Sequence, residues 1–232
     1  MSRHHVRLPL LFAAFALLLL PGLASAQQSI SVNVGYFSPR GEDSRVDDDV
    51  LVANRNFHTF DFGDLGNATI NGEWLFRVTD YLEGGVGVGY FRRTVPSVYT
   101  GFVNETGAEI EQDFRLRMVP VTATVRFLPL GRGASFEPYV GAGLGLFAWR
   151  YTETGEFIDE FGTIFRDRFA DDGTSFGPVV FGGVRVPFGD AFAIGGELRY
   201  QRATGDLDPD RFNSDKIDLG GITYQAVFQV RF

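Results

Sequence analysis

Apolar and polar side chains alternate along the last stretch of the chain. The apolar positions there are Ile222, Tyr224, Ala226, Phe228, Val230 and Phe232. Most side chains between them are polar, and Val227 is the exception. A repeat of two residues is the repeat of a β-strand, because successive side chains point to opposite faces. The pattern therefore predicts a strand with one apolar face and one polar face.

Seven other segments repeat this alternation and are also predicted to be strands. They cover about residues 30–38, 67–78, 82–93, 112–128, 136–151, 175–187 and 191–203, and the eighth strand runs from about 219 to 232. In the fourth segment, Phe114 shares the apolar face with Val121 only if the phase slips at Val119-Pro120. Proline cannot donate to a strand ladder, so we predict a β-bulge there, with Arg115 and Arg117 facing inward.

The connections between these segments alternate in length. Short connections are expected at Thr79-Asp80, 130–134 and 188–190, and long ones at about 40–66, 94–110, 153–173 and 204–217. Short periplasmic turns and longer outer loops are typical of transmembrane barrels. In hydrocarbon, every backbone polar group must be paired internally, so such a sheet has to close. The predicted fold class is an all-β, eight-stranded antiparallel up-and-down transmembrane β-barrel.

The beginning of the chain has the pattern of a cleavable signal peptide. Arg3 and Arg7 precede an apolar run at residues 8–20, and Ala24-Ser25-Ala26 is a small-residue cleavage site. The run is too short to span a bilayer as a helix, which needs about 20 residues. Residues 1–26 are predicted to be removed, so that Gln27 begins a barrel domain of residues 27–232. Export across the inner membrane then leads to the bacterial outer membrane.

The composition and net charge of the chain exclude several kinds of partner and binding site. The chain carries a formal net charge of −8 and contains no cysteine. This acidity argues against nucleic acid, which binds basic surfaces, and the lack of cysteine excludes disulfides and thiolate metal sites. We expect no metal site and no cofactor. Acidic clusters at Asp47-Asp48-Asp49 and Asp171-Asp172 leave open whether the outer loops share divalent cations with lipopolysaccharide phosphates.

Aromatic residues near the predicted strand ends are candidates for the belts that mark membrane interfaces. They are Trp74, Tyr81, Tyr90, Tyr139, Trp149 and Tyr200. Ordinary packing in a protein core is the alternative for each of them.

The inward face carries many charges. They are Glu73, Arg77, Glu83, Arg126, Glu137, Arg185, Glu197, Arg199 and Arg231. An eight-stranded barrel is only wide enough for its own side chains, and an isolated buried charge costs several kcal/mol. We therefore predict an Arg–Glu network that fills the periplasmic half of the lumen. Glycines at every second position, as in Gly85-x-Gly87-x-Gly89, relieve crowding on that face.

No catalytic residue is predicted. Beyond the signal segment His58 is the only histidine, and it lies near Asp61 and Asp64 in the first long loop. No serine stands in a recognisable nucleophile context, so an enzyme is not expected.

Two stretches resemble the central hairpin of the small bacterial outer-membrane β-barrel family, which includes the OmpA membrane domain and the OmpX and OmpW types. They are Val119–Phe127 and Pro138–Gly145. The resemblance implies insertion by the barrel-assembly machinery, which reads the last strand. Tyr224, Phe228, Val230 and Phe232 fit that signal, whereas Val227 stands where the family often has glycine.

These observations lead to three functional hypotheses. The first is a structural or surface-interaction role in the envelope, with the lumen plugged by charges. The second is a narrow porin-like channel for small solutes, and the third is an adhesin that acts through its loops. Expected partners are outer-membrane lipids, lipopolysaccharide and, during insertion, the barrel-assembly machinery. We expect a monomer.

Overall fold

Eight long strands form a closed ring in the computed structural model, which describes residues 28–159 and 161–232. The strands are β1 (Gln28–Pro39), β2 (Asn67–Arg77), β3 (Leu82–Val103), β4 (Glu109–Phe127), β5 (Glu137–Ile158), β6 (Ile164–Phe188), β7 (Phe192–Gln201) and β8 (Gly221–Arg231). Each pairs antiparallel with its sequence neighbours, and β1 pairs with β8 to close the ring. The predicted barrel fold is confirmed. The predicted signal peptide and its cleavage residues, Ala24, Ala26 and Gln27, lie outside the described residues.

The ring has two unlike ends. The turn end carries the short connections 78–81, 128–136 and 189–191, together with the start of β1 and the end of β8. The loop end carries the connections 40–66, 104–108, 159–163 and 202–220. Two predicted long loops, 94–110 and 153–173, are wrong as loops, because β3 to β6 extend through them and meet in short turns. The outer face of these extensions lies beyond the apolar band and carries mostly polar side chains, so the alternation of an apolar outer face with a polar inner face is lost there.

Outward side chains form an apolar band around the ring. Its most exposed members include Ile30, Val34, Ile70, Val86, Val88, Val121, Val125, Leu144, Leu146, Phe176, Val180, Ile194, Leu198 and Phe228. A band of apolar side chains around a closed barrel is the surface that outer-membrane barrels present to lipid. Toward the loop end the band stops near Tyr90 on β3 and Ala148 on β5, where Arg92 and Arg150 are the next outward residues.

The predicted bulge at Val119-Pro120 is wrong. The pairs Val88 with Val121 and Phe91 with Met118 keep one register across this point. Phe114, Leu116 and Met118 are therefore buried inside the barrel, and Arg115 and Arg117 face outward. The strand does not change phase. Instead, its outer face passes from lipid to water, and the apolar side chains change from the outer face to the inner one.

Of the six aromatic residues predicted for an interface belt, four face outward as such a belt requires and two do not. Trp74, Tyr81, Tyr90 and Tyr200 are exposed on the outer face. Tyr139 and Trp149 are buried inside the barrel, which is the core-packing alternative.

The connection from β1 to β2, here named loop 1 (residues 40–66), folds into the open loop end of the ring. It contains α1 (Val50–Arg55), two 3-10 turns (Glu42–Ser44 and Phe62–Leu65) and a two-residue strand (His58–Thr59) that pairs with β3. The connection from β7 to β8 forms a second small hairpin from Thr204–Asp206 and Lys216–Asp218. Among the described residues, no helix is both long and apolar enough to cross a bilayer.

The barrel lumen as the candidate functional site

Most of the predicted lumen charges meet inside the turn half of the barrel. We call this set the charge network, and its members are Glu73, Glu83, Arg126, Glu137, Arg185, Glu197, Arg199 and Arg231. They project from strands β2 to β8 into the lumen, and all except Arg231 are buried. Alternation puts them on the inner face, so their positions follow directly from the strand period.

One part of the network joins two carboxylates to two guanidinium groups. Arg126 pairs with Glu73 and lies 3.6 Å from Glu197. Arg199 lies 2.7 Å from Glu73 and 2.9 Å from Glu197. The same carboxylates accept hydrogen bonds from neutral side chains, as in the amide of Gln225, which donates to Glu197 over 2.7 Å. Two negative and two positive charges therefore balance within one cluster.

A second part lies closer to the turn end. Arg185 is 3.0 Å from Glu83 and 3.3 Å from Glu137, and Arg231 binds Glu137 through two contacts of 2.6 and 3.1 Å. The backbone N–H of Gly133 also donates to Glu137, over 2.9 Å. Paired guanidinium–carboxylate contacts are the strong, directional kind of ion pair. This part ties the last strand to β5 and β6 across the lumen.

Tyr139 connects the two parts. Its ring lies 5.1 Å from the guanidinium carbon of both Arg126 and Arg185, and its hydroxyl donates to Glu197 over 2.9 Å. An aromatic face next to a cation is favourable, and more so when water is excluded. The neighbouring strand β6 has to leave room for this side chain, because a Cβ at Gly183 would come within 2.6 Å of the Tyr139 hydroxyl. Glycine is needed there because of this close approach.

Arg77 stands opposite Glu83 in the ladder, on the predicted face, but it is the last residue of β2 and lies at the end of the lumen. Its side chain is partly exposed and pairs with Asp80 in the turn between β2 and β3. The residue ends its strand, where the chain leaves the ring, so its long side chain reaches solvent. Sequence reasoning also missed Arg132, whose Nε lies 3.9 Å from Glu83. Arg132 belongs to a turn, and no periodicity marks the direction of a turn side chain.

The loop half of the lumen is filled by apolar side chains. We call them the apolar plug, and they include Phe37, Phe91, Phe114, Leu116, Met118, Phe147, Trp149 and Tyr151 from the wall and Val50, Leu51, Phe60, Phe62, Leu65, Leu207, Phe212 and Ile217 from the loops. Loop and wall rings touch: Phe60 lies 5.4 Å from Phe114, and Phe212 lies 5.6 Å from Tyr151. Sequence reasoning missed this plug because it took 40–66 for an open loop.

Asp49 holds loop 1 in the barrel mouth. Its carboxylate caps α1 by accepting from the backbone N–H groups of Leu51 and Val52, and it pairs with Arg45 over 2.7 and 3.0 Å. It also accepts from the N–H of Asp218, 2.6 Å away in the second loop. This acidic residue is therefore a buried anchor, unlike its exposed neighbours Asp47 and Asp48. The cap before an apolar run was a readable helix signal.

The plug also contains buried titratable groups outside the lipid band. Asn54 of α1 donates to Glu153 over 2.5 Å, and the Tyr151 hydroxyl donates to the same carboxylate over 2.9 Å. Burial raises the pKa of Glu153 and lowers the pKa of His58. The Nδ1 of His58 faces the carbonyl of Asn54 at 3.1 Å, and its ring packs on Tyr99 and Phe114.

Little open space remains between network and plug. A pocket of about 20 Å³ lies there, and its lining includes Glu73, Gly87, Thr122 and Arg199. That volume has room for about one water molecule. No group of ligating side chains suited to a metal ion occurs in the part of the chain that the structure describes.

The residues predicted to form an assembly signal lie on the outer face of β8 and at the chain end. Tyr224, Phe228 and Phe232 are exposed, and Val230 is half-buried. Val227 faces inward and is buried.

Comparison with known proteins gives one family and several similar folds. Residues 10–231 match the family model described as an outer membrane protein beta-barrel domain. The crystal structure of OprG from Pseudomonas aeruginosa has a TM-score of 0.55 at 12% identity, over 90% of this chain and 96% of that one. For outer membrane protein W of E. coli the values are 0.48, 14%, 89% and 98%, and for Neisserial surface protein A 0.46, 15%, 89% and 97%. No curated protein matches in sequence.

Proposed function

The chain belongs to the family of outer membrane protein β-barrel domains and resides in the bacterial outer membrane, and from this premise we propose that it serves the envelope as a closed barrel. In this proposal the lumen conducts nothing, and the protein acts through its outer wall and its extracellular loops. Short turns face the periplasm and long loops face outward in such barrels, so the loop end is the extracellular one.

The observation that carries the proposal is that two sets of side chains together fill the lumen along its length. The charge network occupies the periplasmic half and the apolar plug the extracellular half. A conducting pore needs a continuous polar path through the lumen. The apolar plug interrupts such a path, and the charge network fills the other half with paired side chains. Opening the network would separate buried ion pairs, and opening the plug would expose Leu51, Phe60 and Phe212 to water.

Conductance in planar bilayers tests the closed barrel against the channel hypothesis. We expect the purified protein to give no discrete openings at protein loads where a general porin conducts freely. Substitution of Glu137 or Arg185, which pair on the inner face of neighbouring strands β5 and β6, provides the sensitive comparison. Discrete openings in the unmodified protein that either substitution abolishes or enlarges would establish transport and overturn the proposal.

An envelope role has its own test. Deleting the gene in its host is expected to raise uptake of a hydrophobic dye across the outer membrane, and the full-length protein is expected to restore the barrier. A version with replaced residues in the turns at 104–108 and 159–163 distinguishes the adhesin hypothesis from the envelope role. If that version loses surface binding while the barrier is intact, the loops have the adhesive role and the envelope role is secondary.

The proposal includes no catalysis. Burial of His58 between Tyr99 and Phe114 supports this, because a general base has to reach a substrate proton. Substituting His58 is expected to change neither lipid A modification nor ester hydrolysis in cells that express the protein.

Processing and assembly complete the proposal. We propose that residues 1–26 are removed at Ala26, that the barrel-assembly machinery reads the exposed aromatic residues of β8, and that the barrel works as a monomer. Amino-terminal sequencing of the membrane form is expected to begin at Gln27, and Phe232→Ala is expected to slow insertion without changing the folded barrel.

A further inference from the structure

Three arginines lie side by side on the outer wall, just above the apolar band. We call Arg92, Arg117 and Arg150 the arginine row. Arg92 of β3 is directly opposite Arg117 of β4, and Arg117 is directly opposite Arg150 of β5. All three are exposed. Side chains directly opposite each other have Cβ atoms about 4.5–5.5 Å apart, so three positive charges share one narrow strip.

Two more arginines border the strip. Arg115 stands one outward position above Arg117, and Arg168 comes from β6. Together they line a shallow pocket of about 200 Å³ with Tyr90 and Thr152. Five arginines and no carboxylate line this pocket among the described residues. The pocket therefore presents converging N–H donors to the outside of the barrel.

The row lacks internal charge compensation. Like charges directly opposite each other destabilise a sheet. The ion pairs of the described residues include none of Arg92, Arg117 and Arg150. The exposed Asp172 is opposite Arg150 in the ladder and is the one carboxylate in direct register with the row. Two of the three charges thus have no acidic cross-strand neighbour, and an external anion would relieve their repulsion.

The position of the arginine row relative to the apolar band indicates which anion it meets. Arg92 is two residues beyond the exposed Tyr90, where the lipid-facing band ends, which is about 7 Å along a strand. Arg150 is likewise two residues beyond Ala148. This is the level of the headgroups in the outer leaflet, on the side of the membrane where the long loops lie. The outward carboxylates Asp113 and Glu111 come only at higher positions on β4.

From this geometry we propose that the arginine row binds the phosphate groups of the outer-leaflet glycolipid, with its acyl chains lying along the apolar band below. Guanidinium groups match phosphate oxygens through paired hydrogen bonds, and three of them on neighbouring strands spread their donors over about 10 Å of the wall. The site lies on the lipid-facing side of the wall. It is therefore independent of whether the lumen conducts, and it goes beyond the closed-barrel function.

Native mass spectrometry of the purified full-length barrel tests the site directly. Micelles containing diphosphoryl lipid A are expected to yield a one-to-one complex. In the triple variant R92Q/R117Q/R150Q the affinity obtained from a lipid titration is expected to fall about tenfold, which corresponds to the loss of about 1.4 kcal/mol. Arg117→Gln alone, at the centre of the row, is expected to give an intermediate loss and serves if the triple variant fails to fold.

A charge-matched control separates a site from general attraction. R55Q/R166Q/R211Q removes three exposed arginines elsewhere on the extracellular part and is expected to bind as the unmodified protein does. Dephosphorylated lipid A is expected to bind poorly. Inositol hexaphosphate, a free polyanion, is expected to compete only weakly because it has no acyl chains.

Five results would overturn the proposal. Four of them are undiminished binding by the row variants, an equal loss in the charge-matched control, equal retention of dephosphorylated lipid A, and equal retention of phosphatidylglycerol. Full displacement by inositol hexaphosphate would likewise reject a lipid-anchored ligand and assign the row to soluble polyanions.

Discussion

The two halves of the lumen are closed by different chemistry. In the periplasmic half, ion pairs between side chains of the wall itself, such as Glu73 with Arg126 and Arg199, cross the ring. In the extracellular half, apolar side chains of loop 1 pack against apolar side chains of the wall and fill the mouth. The network therefore holds strands together, whereas the plug holds a loop in place. Breaking the first is expected to weaken the whole barrel, and breaking the second only a local unit.

The largest expected effect is that of Glu73→Gln. It removes one of the two carboxylates that Arg126 and Arg199 share, so one buried positive charge loses its compensation, which costs about 3–5 kcal/mol. The unfolding midpoint in urea, followed by heat-modifiable migration in gels, is expected to fall accordingly. The matched control is Glu42→Gln, which breaks the exposed pair of Glu42 with Arg55 and is expected to cost less than about 1 kcal/mol. Equal effects of the two variants would mean that the network does not stabilise the ring.

Leu51→Ala tests the plug and is expected to have a smaller effect. The buried side chain of Leu51 belongs to α1, and its truncation is expected to cost about 2 kcal/mol, near the low end for leucine because a loop relaxes around the gap. Hydrogen exchange is expected to quicken in residues 45–65, while the unfolding midpoint of the barrel stays unchanged. Phe57→Ala, at an exposed site of the same loop, is the control. A global loss of stability would refute the local nature of the plug.

The smallest expected effect is a pH dependence of loop 1. Burial raises the pKa of Glu153, so its proton stabilises the docked loop at low pH, and this stabilisation is lost as the pH rises from about 4.3, the ordinary value, through the raised one. Burial lowers the pKa of His58, which acts in the opposite direction below about pH 6.5. The comparison is therefore made in a His58→Gln background.

In that background, protection of loop 1 against hydrogen exchange is expected to decline with rising pH once the intrinsic exchange rates are corrected for. Adding Glu153→Gln is expected to remove the decline, because the side chain then stays neutral. A decline that persists in the double variant would assign the effect to another group.

Within the membrane, alternation was enough to predict the fold and the site. Outward positions must be apolar there and inward ones need not be, so Glu73, Arg126 and Glu197 stood out as an inner set. That these charges pair with one another follows from the narrow lumen. Which carboxylate meets which guanidinium depends on the register of strands far apart in sequence, and a single chain does not display that register.

Above the membrane the outer face of the wall meets water, so outward positions are polar and inward positions are apolar. On β4, Phe114 and Met118 turn inward because water surrounds the wall, and Arg117 turns outward. A pattern interpreted with lipid as the only outer solvent requires a bulge that does not exist. The predicted belt positions of Tyr139 and Trp149 failed for a related reason, since an aromatic side chain near the end of a band faces either side. Only the phase of the strand decides between them.

Chemical access to the middle of the lumen tests the closed barrel most directly, and the chain suits it because it contains no cysteine. Thr122 faces inward between network and plug, and Asp113 lies outward above the membrane on the same strand. A membrane-impermeant thiosulfonate is expected to label Asp113→Cys at once and Thr122→Cys only after unfolding. Labelling of Thr122→Cys in the folded barrel at the rate of Asp113→Cys would show a water-filled lumen and contradict the account.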